Sequence, residues 1–376
     1  MPISHLTRRE FGACLCALPL FSKTLDDWAD ASWNQPATVA RVYLGAPQPH
    51  WPKPTLNLDD ERAQIEQELG DVARKNAHVV RFTGGELLRT PEQVRPWLAQ
   101  FGGVDGLLAI PLAQPTPPLR ALVENAPAPV LFFSRPYATH AWSSVAAMRQ
   151  EGRKIDVIAT SSYGDLDPYL KAFRTVHHLR NSRVLVGAAT PGSRQQTADA
   201  FAERMGVQFQ FVTGSAFRDA FESTNARLAA EEAARFTQAA LRVVEPSPKE
   251  IGDGVRFYVA ILDMMKAQKA NAVTIDCFGT MAASTLPGYP CIAFSKLNDA
   301  GLYGVCEGDL ASTMTQMLVT SFAGVPGFVS DPVFDISRNE VIHAHCVAAT
   351  KMKGPHGPSS PYIIRNHLET NEGAVL

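Results

Sequence analysis

The chain has 376 residues, of which 45% are hydrophobic and 19% charged, and its formal net charge is −2. This is the composition of a globular protein long enough for about two to three domains. A near-neutral balance with no long run of like charge excludes a basic nucleic-acid binder and a polybasic membrane-surface protein.

At the N-terminus, LTRREFGACLCALPLF places Arg8 and Arg9 ahead of Phe11, and the apolar run over residues 12–21 is too short to span a bilayer. The segment resembles a twin-arginine export signal, with ADA at residues 29–31 as a small-x-small cleavage site. The resemblance implies a signal peptide over residues 1–31 and a mature chain from near Ser32. It also implies a periplasmic or otherwise exported protein with no stable membrane association after removal of the signal. An ordinary amphipathic segment is the alternative and would leave the protein cytoplasmic. Export of this type resembles a route for proteins that fold, and often load a cofactor, before crossing. Cys14 and Cys16 would leave with the signal, and Cys277, Cys291, Cys306 and Cys346 remain. Their spacing lacks a C-x-x-C pair and predicts buried thiols rather than a zinc site.

Strand and helix patterns alternate over residues 37–181. TVARVYL reads as a strand, DDERAQIEQELGDVARKN as an amphipathic helix opened by acids, AHVVRF as a strand, TPEQVRPWLAQFG as a helix capped by Thr90 with Pro91 behind it, and VDGLLAI as a strand. APVLFF and KIDVIATS continue the series. Such alternation predicts a parallel sheet with helices on both faces. The pattern restarts after KAFRTVHHLRNS, with RVLVGAA, VQFQFVT, NAVTID, CIAFS, YGVC and GFVS as strand candidates and SRQQTADAFAERM and ESTNARLAAEEAARFTQAALRVV as helical stretches. The expected fold is therefore α/β: two doubly wound, Rossmann-like parallel-sheet domains over residues 37–181 and 182–331. Residues 332–376 then begin a β-rich third unit that is either very small or incomplete. Within it, NEVIHAHC alternates so that His343 and His345 share one face of a strand, KGPHGPSSP is a loop, and YIIRNHLE reads as a further strand.

The stretch GVCEGDLASTMTQMLVTSFAGVPGFVSD carries the chemistry. Asp309 reads as the N-cap of a helix and Gly324 as its stop, which makes the segment a strand, a helix and a second strand. If the two strands are parallel neighbours, Glu307 and Asp331 emerge together at their carboxyl ends, where open α/β sheets bind ligands, and Asp276 at the end of NAVTID borders the same crevice. Each acid could equally cap or turn the chain. Two carboxylates with an imidazole suit Mn²⁺ or Mg²⁺ better than tetrahedral zinc.

Residues 290–331 (PCIAFSKLNDAGLYGVCEGDLASTMTQMLVTSFAGVPGFVSD), IHAHC and RNHLETNEGAVL together resemble the carboxyl half of the L-fucose isomerase-like sugar isomerases, relatives of the L-arabinose isomerases. The similarity covers roughly residues 270–376 and is architectural before that. It implies a metal-dependent aldose–ketose isomerase of a deoxy- or pentose-type sugar, working by proton transfer between C1 and C2 through an enediolate or by hydride shift. It implies Glu307 and Asp331 as metal ligands and acid/base groups, His367 as a metal ligand, and His345 as a further ligand from the arabinose branch. Mn²⁺ or another divalent cation such as Mg²⁺ is the expected cofactor, a monosaccharide the expected substrate, and a homo-oligomer the expected assembly. A different class of function, an exported sugar-binding or sensing protein without turnover, fits two α/β units around a crevice and is separated from the enzyme by whether sugar binding needs the metal.

Overall fold

GLLAIP and VLFFS are buried at every residue, which is the signature of strands covered on both faces of a parallel sheet. They are β3 (Gly106–Pro111) and β4 (Val130–Ser134), and with β1 (Ala37–Leu44), β2 (Val80–Leu88) and β5 (Ile155–Ala159) they form a five-stranded sheet in the order β2-β1-β3-β4-β5, parallel throughout. The computed structural model describes residues 31–188, 192, 194–282 and 286–376, with side chains except at 281 and 282, so the twin-arginine segment and its cleavage site lie essentially outside the described residues. Helices α1 (Leu58–Lys75), α2 (Val94–Leu98), α3 (Thr116–Asn125), α4 (Trp142–Gln150) and α5 (Asp167–Arg180) connect and cover these strands. Alternation along β3 sends Leu107 and Ala109 into a core with Trp97, Leu119 and Leu122, and Leu108 and Ile110 into an opposite core with Ile65, Leu69 and Leu170. The sequence of α1 explains its ends: the Asn57 side chain accepts from Asp59 N, acids fill the first turn, and Arg74 and Lys75 close the last.

The chain divides into a unit spanning residues 35–178 and a second spanning 179–376 together with the residues up to Asn34. In the second unit, β6 (Arg183–Gly187), β7 (Gln208–Val212), β9 (Ala272–Ile275) and β10 (Tyr303–Val305) make a four-stranded parallel sheet in the order β10-β9-β6-β7. Its helices are α6 (Arg194–Met205), α7 (Gly214–Ser223), α8 (Ala226–Ala239), α9 (Pro248–Ala267), α10 (Cys277–Ala282), α11 (Cys291–Asp299) and α12 (Leu310–Ala323). Leu185, Val273 and Ile275 face a core with Phe257, Ile261 and Phe294, into which Trp33 also packs; Val184, Val186 and Tyr303 face another with Met314 and Met317. A two-residue strand, β8 (Arg242–Val243), joins β13 (Ile363–His367) and β14 (Glu372–Val375) in a three-stranded sheet, while β11 (Asp331–Asp335) and β12 (Glu340–Ala344) pair as an antiparallel hairpin. The β-rich C-terminal stretch thus belongs to the second unit by its contacts.

Two strand expectations fail. CIAFS is the first part of helix α11, not a strand. Its first five residues are all buried, and a short apolar run buried all round reads the same in a strand or a core helix. GFVS is not a strand, and among the described residues no parallel partner of β10 follows α12. Gly324 ends α12 in the left-handed region at φ 74°, and Pro326, without an N–H, stands two residues later. The next strand starts only at Asp331 and pairs with β12.

Candidate metal and catalytic site

Glu307 lies two residues beyond β10, at the carboxyl edge of the second parallel sheet. Its φ is +69° and that of Gly308 is +63°. A glutamate in the left-handed region carries strain of order 1–3 kcal/mol that the surroundings must hold. They do so through Arg194 at the start of α6, whose Nε donates to the Gly308 carbonyl at 3.0 Å and whose Nη2 pairs with Asp276 Oδ2 at 3.0 Å. A side chain at 308 would meet Asp276 N at 3.0 Å and Arg194 Nε at 3.2 Å, so glycine is needed there. Asp309 then caps α12 by accepting from Ala311 N at 2.8 Å. Asp276 follows β9, next to β6 where the winding of the sheet reverses, the usual ligand crevice of such folds.

Asp331 reaches this edge by the hairpin rather than by a parallel strand. Its register partner in β12 is Ala344, so the next residue, His345, emerges beside it. The His345 side chain is only 6% exposed, and its Nε2 lies 3.4 Å from Glu307 Oε1 and 3.9 Å from Asp331 Oδ2. One donor atom from each of Glu307, Asp331 and His345 falls within 4.8 Å of the other two. The carboxylates are more open, at 40% and 78% exposure. The donor set, two carboxylates and one imidazole facing open space, fits a hard divalent cation that keeps water or substrate oxygens as its remaining ligands.

The other face of His345 meets sulfur. Its Nδ1 is 3.6 Å from Cys346 Sγ. The sulfur beside Nδ1 raises the imidazole to about 9, assisted by the Glu307 and Asp331 carboxylates and opposed by burial. Cys346 is held well below the ordinary thiol range, first by the Cys291 thiol, then by Cys306 and His345. Cys291 and Cys306 move the other way, raised by the same sulfur contacts and by burial.

A cavity of about 690 Å³ opens over the site, with Glu307, Asp331, His345, Phe278 and His367 in its wall. His367 ends β13, with its ring centroid 5.9 Å from that of Tyr289 and 6.1 Å from that of Phe278. It therefore faces the same cavity as the three converging donors but is not among the side chains whose donor atoms come within 4.8 Å of one another. Among the described residues its buried Nδ1 has no hydrogen-bond partner. His343 is held away, with Nδ1 2.8 Å from Ser330 Oγ on an exposed stretch of hairpin.

Sequence reasoning missed Arg194 and the sulfur contacts. Neither has a local signal: Arg194 meets a carbonyl 114 residues away, and Cys346 meets Cys291 across 55. No helix among the described residues is long and apolar enough to cross a membrane. No protein-family model matches the chain, and no curated protein does.

Proposed function

We propose that the protein is a metal-dependent aldose–ketose isomerase of a deoxy- or pentose-type monosaccharide, exported through a twin-arginine signal. The observation that carries this reading is the convergence of Glu307, Asp331 and His345 on the wall of one cavity of about 690 Å³. That volume lies within the range of small-molecule ligand pockets. A divalent cation held by these residues would polarise the substrate carbonyl and stabilise the neighbouring oxyanion.

The chain's own groups supply the rest. Glu307 and Asp331 both approach His345 Nε2, so one carboxylate can hold the sugar's hydroxyls while the other takes a proton from C2 and returns it to C1. Arg194, through the Gly308 carbonyl, keeps the turn at Glu307 in the conformation that aims its carboxylate at His345. His367 and Phe278 form a ring-bearing part of the cavity wall against which a sugar face can pack, and Tyr289 lies against the His367 ring.

The test is to incubate full-length, Mn²⁺-replete protein with a panel of aldoses and follow ketose formation. Turnover that disappears with chelator and returns with Mn²⁺ is expected. Absence of turnover on every sugar, with sugar binding unchanged by chelator, overturns the reading in favour of an exported sugar binder. Export itself is tested by fractionation of cells expressing the full chain and its Arg8→Lys/Arg9→Lys variant.

A further inference from the structure

All four cysteines of the described chain meet at the foot of the cavity, although they come from different elements. Cys277 opens α10, Cys291 opens α11, Cys306 follows β10, and Cys346 lies two residues beyond β12. Their sulfurs form a row: Cys277 to Cys306 at 3.3 Å, Cys306 to Cys346 at 3.9 Å, and Cys346 to Cys291 at 3.5 Å. One tetrahedral ion held by all four would need every sulfur near every other. Of the row, only Cys306 and Cys346 join His345 in a group whose donor atoms all lie within 4.8 Å. A row with two close outer pairs suits pairwise bonding instead.

We propose that Cys277 with Cys306, and Cys291 with Cys346, are two dithiol pairs that small-molecule disulfides convert to two protein disulfides, making the foot of the cavity a reversible modification site. Each pair needs its sulfurs to close to the about 2.05 Å of a disulfide. Cys346 is the least buried of the four and lines the cavity, whereas Cys291 is 2% exposed and does not, so reaction begins at Cys346. Cys346 Sγ attacks one sulfur of the reagent R–S–S–R. The reagent's bond breaks, Cys346–S–S–R forms, and the first R–S⁻ leaves and takes up the proton lost by Cys346. Cys291 Sγ, the nearer neighbour, then attacks the Cys346 sulfur, and the second R–S⁻ leaves with the proton lost by Cys291. Two electrons pass from the pair to the reagent, which departs as two thiols. A second equivalent of reagent closes Cys277 and Cys306, both of which line the cavity, in the same way. The two bonds would join the residue before Glu307 to the start of α10, and the residue after His345 to the start of α11.

The experiment treats the full chain with oxidised glutathione, alkylates remaining thiols, digests without reduction and maps linked peptides by mass spectrometry. Expected are the Cys277–Cys306 and Cys291–Cys346 links, no glutathione left on either pair, and recovery of free thiols with dithiothreitol. Four cysteines that stay alkylatable, that stop as glutathione adducts, or that pair otherwise overturn the proposal. So does a copurifying metal that shields all four. Cys291→Ser, or Cys291→Ala where the apolar site rejects serine, is expected to trap glutathione on Cys346. An adduct on Cys277 or Cys306 in its place contradicts reaction beginning at Cys346. The linkage map is read without added metal or sugar, so its outcome is independent of the isomerase reading.

Discussion

The two parallel sheets are wound alike. In each, the sheet's first strand has its second on one side and its third on the other, with the fourth beyond. Their carboxyl edges differ. In the unit of residues 35–178, Arg135, just past β4, binds Glu61, and Arg41, inside β1, pairs with Glu66 at 3.1 Å. In the second unit, Glu307, itself in the left-handed conformation, faces a histidine delivered from outside the sheet, and its carboxylate stays partly exposed. Equal winding with unequal edges teaches that the doubly wound fold provides the crevice, while a few residues beyond the strand ends provide the chemistry.

The largest test of this contrast exchanges one glutamate in each unit. Glu307→Gln keeps the volume and removes the charge and the proton acceptor, so turnover should drop by roughly 10² to 10⁴-fold with loss of metal affinity. Glu66→Gln should leave both unchanged, because Glu66 only bridges Arg41 and the Tyr43 hydroxyl. Assays of sugar turnover on the two variants in parallel check this.

A second pair of substitutions compares the packing. Alanine at Gly304 would place its Cβ 2.4 Å from the Cα of Phe294, so the backbone of α11 must yield; alanine at Gly106 would meet the Phe173 ring at 2.1 Å, and a ring can turn away. Gly304→Ala should therefore destabilise more, at or above the roughly 1–3 kcal/mol typical of overpacking. Denaturant unfolding of both variants measures the difference.

Smaller effects are expected at the helix starts. Asp309→Ala removes the cap of α12 just after Glu307–Gly308, and Asn57→Ala the cap of α1. Each should cost about 1 kcal/mol, and only Asp309→Ala should also lower metal affinity, since its helix anchors the turn that presents Glu307.

How much of this was legible follows from how local each signal is. Asp309 and Gly324 mark both ends of α12 because capping and left-handed termination involve neighbouring residues. The central strands of the first sheet were readable from apolar runs of strand length. CIAFS had the same appearance, and only its packing against neighbouring core elements makes it a helix. Glu307 and Asp331 could be named as partners, but the route that joins them depends on the pairing of Asp331 with Ala344, a tertiary fact. The row of cysteines was invisible for the same reason: the three contacts span 29, 40 and 55 residues.

The smallest effect concerns acid. Lys75 beside Asp167, with help from Asn76, holds the Asp167 carboxyl below its ordinary range. A depressed folded value means that the contribution is present above the unfolded value of about 3.8 and is lost as pH falls through the folded one. Asp167→Asn should remove at most about 1 kcal/mol of acid-dependent stability from the unit of residues 35–178, as for other partly exposed pairs, seen as a flatter acid limb of melting temperature against pH. The pH dependence of turnover should not change.

Titration of metal-free protein with Mn²⁺, by calorimetry on the wild type and on Glu307→Gln, Asp331→Asn, His345→Gln and Glu66→Gln, tests the central claim most directly. One Mn²⁺ per chain is predicted for the wild type and for Glu66→Gln, with affinity lost or reduced at least tenfold in each of the other three. Unchanged binding in Glu307→Gln, Asp331→Asn and His345→Gln would contradict the assignment of these residues to a single metal site.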